Sequence, residues 1–395
     1  MNSKPKIAIV AARFSDSISG GAEKHALKFA LLMSEKYEVT VLTTTALDYK
    51  TWKNELPAGE SNFQKIKVIR FPVDKPRELQ KFNKFLDSIR QGKILWNDET
   101  SDLWLRKQGP ASKKLIQFIE ENQSLFNLFF FISYLYYPTV IGIKNIKSKS
   151  ICLPTLHDEF PAYFPVYKKT FTNEISYCFN TIEELALFKH IFGFTPDKFS
   201  VIGVNIDLDD SDFSLRMPGK MGKYFLDQNP DNFTIKNYAV YIGRADGGKG
   251  VNELIEFFRE WKKNYSSDLK LLFIGDDFCE EDDIISTGYL PVNEKNFLLK
   301  RAKFLINPSS LESFSMVIME AWAKKIPVVV NEKSDVMKGH CIRSNGGLYY
   351  SDKESFFKIL NYLLKNEMIR KGLGENGYKY VSRNYSTEIV RTKLF

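Results

Sequence analysis

The sequence predicts an α/β chain built as two successive doubly wound parallel-sheet domains, and three observations carry that reading. Short apolar bursts rich in Val, Ile, Leu and Phe alternate with helix-length segments, the pattern of a parallel sheet buried under helices on both faces. The alternation breaks over a polar stretch after residue 204 and restarts at residue 238. At 395 residues the chain exceeds one typical core, and each half is long enough to bury an interior of its own.

In the first half, strands are expected at "KIAIVAA", "EVTVLTT", "KVIRF", "NLFFFI", "SICLPT", "ISYCFN" and "FSVIG", with helices near 21–35, 78–91, 111–122, 138–146 and 181–192. Residues 205–237 carry few strand signals and read as a linker plus insertion. The second half offers strands at "YAVYIGR", "LKLLFIGD", "DIISTGY", "FLINP", "IPVVVN" and "GGLYY", with helices near 249–264, 293–302, 313–324 and 353–365. Two closing helices, near 367–383 and 386–395, have no strand after them. The domains are therefore expected at 1–204 and 205–379, with 380–395 crossing back to the first.

The stretch "LFNLFFFISYLYYPTVIGI", residues 125–143, has the length of a membrane span but contains Asn127, Ser133 and Pro138. It divides into a strand, a turn and a helix, so a buried strand is expected rather than a transmembrane helix. Cys152, Cys178, Cys279 and Cys341 are far apart, with no C-x-x-C and no histidine at ligand spacing, which favours a reduced cytoplasmic protein over a disulfide framework or a zinc site. The N-terminus runs into a strand-like burst too short for a signal peptide, so the mature protein is expected to start there. A net charge of +8 and a pI near 9.0 favour an anionic partner. Residues 75–93 carry six basic against two acidic residues, interleaved with Phe and Leu, and read either as a solvated helix face or as a contact with an anionic membrane surface.

The chemistry-bearing residues sit where strands give way to helices. Gly20 and Gly21 precede a helix after the first strand, a tight turn or a close backbone approach to phosphate. The dinucleotide fingerprint G-x-G-x-x-G is absent, which excludes NAD-dependent chemistry. In "YIGRADGGKGVNELIEF", Arg244 ends a strand and Lys249 precedes the next helix, two cations placed for a diphosphate or else lying on a solvated loop with a helix-entry glycine run. His157 and Asp158 follow another strand, where the histidine either meets a sugar or phosphate, oriented by Asp158, or caps a helix. In "SSLESFSMVIMEAWAKKIPVVV" Ser313 is the expected N-cap, and Phe314, Val317, Ile318, Ala321 and Trp322 make a buried face, with Met316 and Met319 filling much of the other. Glu320 therefore stands in a nearly all-apolar helix, and a carboxylate there needs a partner. Eight positions of helical spacing place the Glu312 and Glu320 carboxylates roughly 12 Å apart along the axis and offset by about 80°, suited to a long ligand beside the helix. His25, His190 and His340 are assigned no role. The basic residues join no RRM, KH or zinc signature, so nucleic acid is excluded as a partner.

Taken together, "GGAEKHALKFA", "HDE", "VIGVNID", "IGRADGGKGVNELIEF", "LLFIGDD" and "PSSLESFSMVIMEAWAKKIPVVV" resemble, in order and over nearly the whole chain, the retaining GT-B glycosyltransferases of family 4, the group 1 glycosyltransferases. "DYKTWKNELPAGE" and "KVIRFPV" resemble bacterial members linked to surface-polysaccharide assembly. The resemblance implies two Rossmann-like domains facing across a cleft, and transfer from a UDP- or GDP-sugar to a glycan or lipid-linked saccharide at the cytosolic membrane face, without a metal or other cofactor. It implies that Glu320 accepts from the nucleotide ribose and that Glu312 lies by the donor sugar. Ser315, Met316 and Val317 would sit where backbone meets sugar or phosphate. Arg244 and Lys249 would neutralise the diphosphate, Gly20 and Gly21 would let the domains close over it, and His157 would touch the donor sugar or acceptor. Ser315 and Lys325 stand where the family usually has glycine, and "NEKSDVMKGH" replaces its usual loop. Hydrolysing nucleotide-sugar epimerases share this architecture, and a binding-only scaffold gains from these departures.

Overall fold

The computed structural model describes residues 4–15, 20–208, 224, 233–245, 247–276 and 280–395. Most of the expected 205–237 insertion lies outside these residues, as do Asp246 and Cys279. The chain divides into two compact units, Met1–Val204 and Asn205–Phe395.

In the first unit the strands are β1 (Lys6–Val10), β2 (Glu38–Thr44), β3 (Gly59–Phe63), β4 (Ile66–Phe71), β5 (Leu128–Ile132), β6 (Ser150–Leu153), β7 (Ser176–Phe179) and β8 (Phe199–Val201). Among the described residues they form one sheet in the order β3-β4-β2-β1-β5-β6-β7-β8. All neighbours are parallel except β3, which runs antiparallel to β4 at the edge. Ile7 to Val10 are wholly buried, as a central strand covered on both faces requires. Helices α1 (Gly21–Met33), α2 (Leu79–Arg90), α3 (Asp98–Gln108), α4 (Lys113–Glu121), α5 (Tyr137–Ile143), α6 (Pro165–Thr170) and α7 (Ile182–Phe192) complete the unit. Residues 125–143 become β5 and the short α5, and no helix among the described residues is long and apolar enough to cross a membrane.

The second unit has β9 (Tyr238–Gly243), β10 (Lys270–Gly275), β11 (Ile284–Gly288), β12 (Leu305–Asn307), β13 (Val328–Asn331) and β14 (Gly347–Tyr350), all parallel in the order β11-β10-β9-β12-β13-β14. Its helices are α8 (Val251–Asn264), α9 (Val292–Arg301), α10 (Met316–Ala323), α11 (Asp335–Ser344), α12 (Lys353–Lys365), α13 (Glu367–Tyr385) and α14 (Thr387–Leu394). Helix α14 packs on α13, and Ser386 bridges to Ile206. Helix α13 lies against α10 where it has no side chains to interpose: a Cβ on Gly374 would fall 1.9 Å from the Lys325 carbonyl oxygen, and one on Gly377 would fall 2.1 Å from Cδ1 of the buried Trp322 indole.

In both sheets the strand order reverses beside the first strand, between β1 and β5 and between β9 and β12. Such reversals leave a crevice at the carboxyl ends of the strands, where open α/β sheets bind ligands.

Four elements were not expected, the short α6 among them. Strand β3 has the polar, exposed sequence GESNF, which shows no alternation and pairs only at an edge. Helix α3 is capped by the reciprocal Asn97 and Thr100 bonds of a capping box, whose threonine falls outside the usual Glu or Gln pattern. Helix α11 occupies "NEKSDVMKGH", read from sequence as a loop replacement; its Ser334 cap accepts from the Met337 N–H.

Candidate functional site

The loops after β9 and β12 meet at the second unit's reversal point. Arg244 directly follows β9, and its carbonyl accepts from the Tyr241 hydroxyl at 2.6 Å. The next N–H, of Ala245, donates to Asp276 Oδ2 at 3.0 Å, so the end of β10 steadies this loop. Lys249 closes a single 3₁₀ turn before α8. Gly250 then turns at φ +68°, and a Cβ there would lie 2.4 Å from the Pro308 carbonyl oxygen of the β12 loop. Only glycine permits both that conformation and that approach.

This contact brings two expected site residues together. The Lys249 ammonium donates to Glu312 Oε1 at 2.8 Å, with the carboxylate side chain only 13% exposed. A pair this sheltered is worth having only with good geometry, because each ion gives up most of its water.

Helix α10 begins three residues later than expected. Ser313 is not its N-cap; that place falls to Ser315, in the left-handed region at φ 62° and without a side-chain capping bond. Glu312 consequently sits in the preceding loop, and the helical spacing between the two glutamates does not apply. Ser315 Oγ instead accepts from Asn307 Nδ2 at 3.0 Å, a buried bond from the end of β12 that holds the serine in a conformation costly for a residue with a Cβ. The other departure from glycine has the same backbone character. Lys325 stands at φ 59° as the residue after the C-cap of α10: its N–H donates to Trp322 and the Ile326 N–H to Ala321, the two bonds of a Schellman motif. Its exposed Glu375 partner, 2.9 Å away, contributes little. Lys325→Gly is therefore expected to raise the thermal midpoint by about 1–2 °C, measured by calorimetry, and a fall would show that the lysine side chain matters more than its strain.

Met316, Val317 and Glu320 are only partly buried, whereas Ile318, Met319 and Ala321 to Ala323 are buried. These three therefore mark the open face of α10, and the carboxylate lies on it rather than in the helix interior. Its partner, which the sequence leaves unidentified, is inside the protein: Lys295 of α9, itself largely buried, donates to Glu320 Oε2.

Gly20, Gly21 and His157 belong to the first unit. Gly20 is the N-cap of α1 at the β1/β5 reversal, and residues 16–19 of that turn lie outside the described set. A Cβ on Gly20 would sit 2.0 Å from Glu23 Oε2, because Glu23 is drawn beneath the turn by the buried Arg13 guanidinium, which also donates to the Leu47 carbonyl at 2.6 Å. His157 follows β6. The carboxylate beside it is Glu159, 3.7 Å from Nδ1, not Asp158, which accepts from the Tyr163 hydroxyl at 2.7 Å. Burial alone would raise the Glu159 carboxyl, but bonding to His157 and to the Tyr134 hydroxyl outweighs it and holds the group below its ordinary range. The loop before His157 is held from below by Glu184 of α7, wholly buried, which accepts from the Leu156 N–H at 2.8 Å and the Asn180 N–H at 2.6 Å. Burial nevertheless pushes Glu184 up to about 8.

Arg13, Glu23, Glu159, Glu184, Asp276, Lys295 and Asn307 escaped the sequence reading: Asp276 and Lys295 act through partners 31 and 25 residues away, and the others through contacts that no spacing rule marks. Glu184 alone left a local trace, as the third residue after the Thr181 cap.

The sequence and the fold are similar to those of known glycosyltransferases. The family described as Glycosyl transferases group 1 matches residues 225–380. The Staphylococcus aureus capsular polysaccharide biosynthesis glycosyltransferase CapM is 27% identical over 180 residues, 42% of this chain and 45% of that protein. The chain thus spans about half the length of the curated relatives it matches. Two solved structures superpose over nearly the whole chain: WaaG, a glycosyltransferase involved in lipopolysaccharide biosynthesis (TM-score 0.65, 13% identity, 98% of both chains), and Anabaena HepE in complex with UDP and glucose (TM-score 0.69, 13% identity, 99% of this chain and 98% of that one). Residues 225–380, which contain Arg244, Lys249, Glu312 and Glu320, match the group 1 glycosyltransferase model, and the chain shares its fold of two Rossmann-like domains with the glycosyltransferase WaaG.

Proposed function

We propose that this protein transfers a sugar, with retention at the anomeric carbon, from a UDP- or GDP-sugar to a glycan or lipid-linked saccharide in the assembly of a bacterial surface polysaccharide. The observation that carries the reading is the meeting of Lys249 and Glu312 at the reversal point of the second sheet, beside the open face of α10 that bears Glu320. In this reading Lys249 and Arg244 take the diphosphate, replacing Glu312 as the partner of Lys249 and stabilising the charge that grows on the leaving group. Glu312 is then released toward the donor sugar, and Glu320 accepts from the ribose. Met316 and Val317 supply the apolar side of the nucleotide site, with Ser315 at their head. The donor needs no metal, because the two cations do that work. The acceptor binds the first unit, where His157, set against Glu159, meets a sugar hydroxyl, and Gly20 and Gly21 open the start of α1 to a phosphate. The reaction takes place at the cytosolic face of the membrane.

The test is thermal stabilisation by UDP, GDP, dTDP, ADP and CMP. One nucleotide at 100 times its Kd is expected to stabilise by about 2.7 kcal/mol, a shift of several degrees, and the shift should vanish in Glu320→Ala and Arg244→Ala. No shift with any of them would overturn the donor assignment. A nucleotide-dependent conversion of the sugar without acceptor would indicate an epimerase instead.

A further inference from the structure

We propose that a cavity at the carboxyl edge of the first unit's sheet is the acceptor subsite for a phosphate-bearing saccharide, with Arg77 as the anchor for its phosphate and Trp52 and Tyr137 as its apolar wall. The inference rests on the sugar-transfer reading above and gives its acceptor a chemical class. The cavity, of about 270 Å³, is built from the loop after β2 (Trp52), the loop after β4 (Asp74 to Lys81), the end of α3 (Arg106 and Lys107) and the start of α5 (Tyr137). Ligand pockets run from roughly 300 Å³ upward, so this one suits a monosaccharide with its phosphate better than a longer glycan.

Its charge balance points to an anion. Five cations line it against two carboxylates, and both carboxylates are already engaged: Glu78 by Lys75 and Lys81, and Asp74 by the Lys113 N–H. Arg77, Arg106 and Lys107 have no carboxylate at ion-pair distance among the described residues. Arg77 is the most sheltered of the three. Its guanidinium lies between the rings of Trp52 and Phe82, at 5.1 and 4.7 Å from their centroids, and its side-chain bonds go to the carbonyl and amide oxygens of Gln108. Its Nε is buried without a partner. Burial lowers it to about 10, an effect that the nearby Tyr136, Asp48 and Tyr49 only partly offset. A planar guanidinium in the wall of a concave, cation-rich pocket is suited to phosphate.

Two of the cavity's lining residues lie near side chains that hold the first-unit features already described. The Trp52 indole donates to the Gln108 carbonyl at 2.7 Å, and Arg13, the partner of Glu23 beneath Gly20, lies 5.8 Å from its ring. Tyr137 stands three residues after Tyr134, which donates to Glu159 beside His157.

The test is titration calorimetry on the full chain at low salt, using glucose 1-phosphate, glucose, and vesicles of phosphatidylglycerol or phosphatidylcholine. Wild type is expected to bind glucose 1-phosphate and not glucose, with binding at least about 10-fold weaker in Arg77→Gln and about 3- to 10-fold weaker in Arg106→Gln/Lys107→Gln. If phosphatidylglycerol vesicles bind instead, and both variants weaken that binding, the phosphate is lipid-borne and the subsite stands. Silence with both anionic probes, or binding that neither variant weakens, overturns it. Arg77 also supports the Gln108 carbonyl, so the double variant decides the matter if Arg77→Gln fails to fold. The wild-type nucleotide shift is read separately: its presence without sugar-phosphate binding sinks the subsite alone, and its absence sinks the donor reading.

Discussion

Lys249→Ala is expected to lower kcat/KM for sugar transfer by about 10²- to 10³-fold, the range seen when one preorganised charge-stabilising donor is removed. Kinetics at saturating acceptor, with the nucleotide that stabilises the protein, would measure it. A loss below threefold would mean that Lys249 does not meet developing charge. The partner makes a second, independent readout possible. Without Lys249 the sheltered Glu312 carboxylate keeps its desolvation cost and loses a cation 2.8 Å away, so Lys249→Ala should also cost stability. Lys249→Ala/Glu312→Ala removes that stranded charge and is expected to recover stability in urea unfolding without recovering activity. Equal stability of the single and double variants would show that the pair carries no electrostatic weight.

Glu184→Ala is expected to lower the unfolding free energy by about 3–5 kcal/mol, because it opens a cavity and leaves buried N–H groups of two loops unsatisfied. The loop it releases carries His157, so transfer should fall even at temperatures where the variant stays folded. A stability change under about 1 kcal/mol would show that water replaces the carboxyl. The same group gives the protein a pH signature. Its folded value near 8 lies above the ordinary 4.5, so its contribution is complete below pH 4.5 and is lost as pH rises through 8. Wild-type stability should therefore decline between pH 5 and 9 relative to Glu184→Gln, and parallel profiles would mean that the carboxylate is stabilised by its N–H donors at all pH values.

Why some of this was legible in sequence and some was not comes down to range. Strands such as Ile7 to Val10 and Val328 to Val330 announce themselves because a parallel sheet buries every side chain, leaving unbroken apolar runs. Arg244, Lys249, Glu312 and Glu320 are visible because polar residues at the ends of such runs need a reason. The start of α10 was misplaced because Ser313 has the right side chain for a cap, while the chain enters the helix through a left-handed Ser315, a backbone fact held by Asn307. Lys295 was invisible as the partner of Glu320, since nothing in a 25-residue separation records that a side chain of α9 reaches α10. The cavity around Arg77 was half visible: its basic run stood out, but the Trp52 and Tyr137 walls come from other loops.

The notch on α13 has a consequence for how chains of this kind drift. Glu320 faces outward because Trp322, two residues on, is seated against bare backbone at Gly377, and Gly374 similarly admits the carbonyl of Lys325. Neither glycine is polar, and neither lies on the open face of α10. A single methyl group acquired there would rotate or lift the helix while leaving every charged residue in place. The placement of Glu320 thus depends on two residues that carry no charge at all, and the polar positions alone do not specify it.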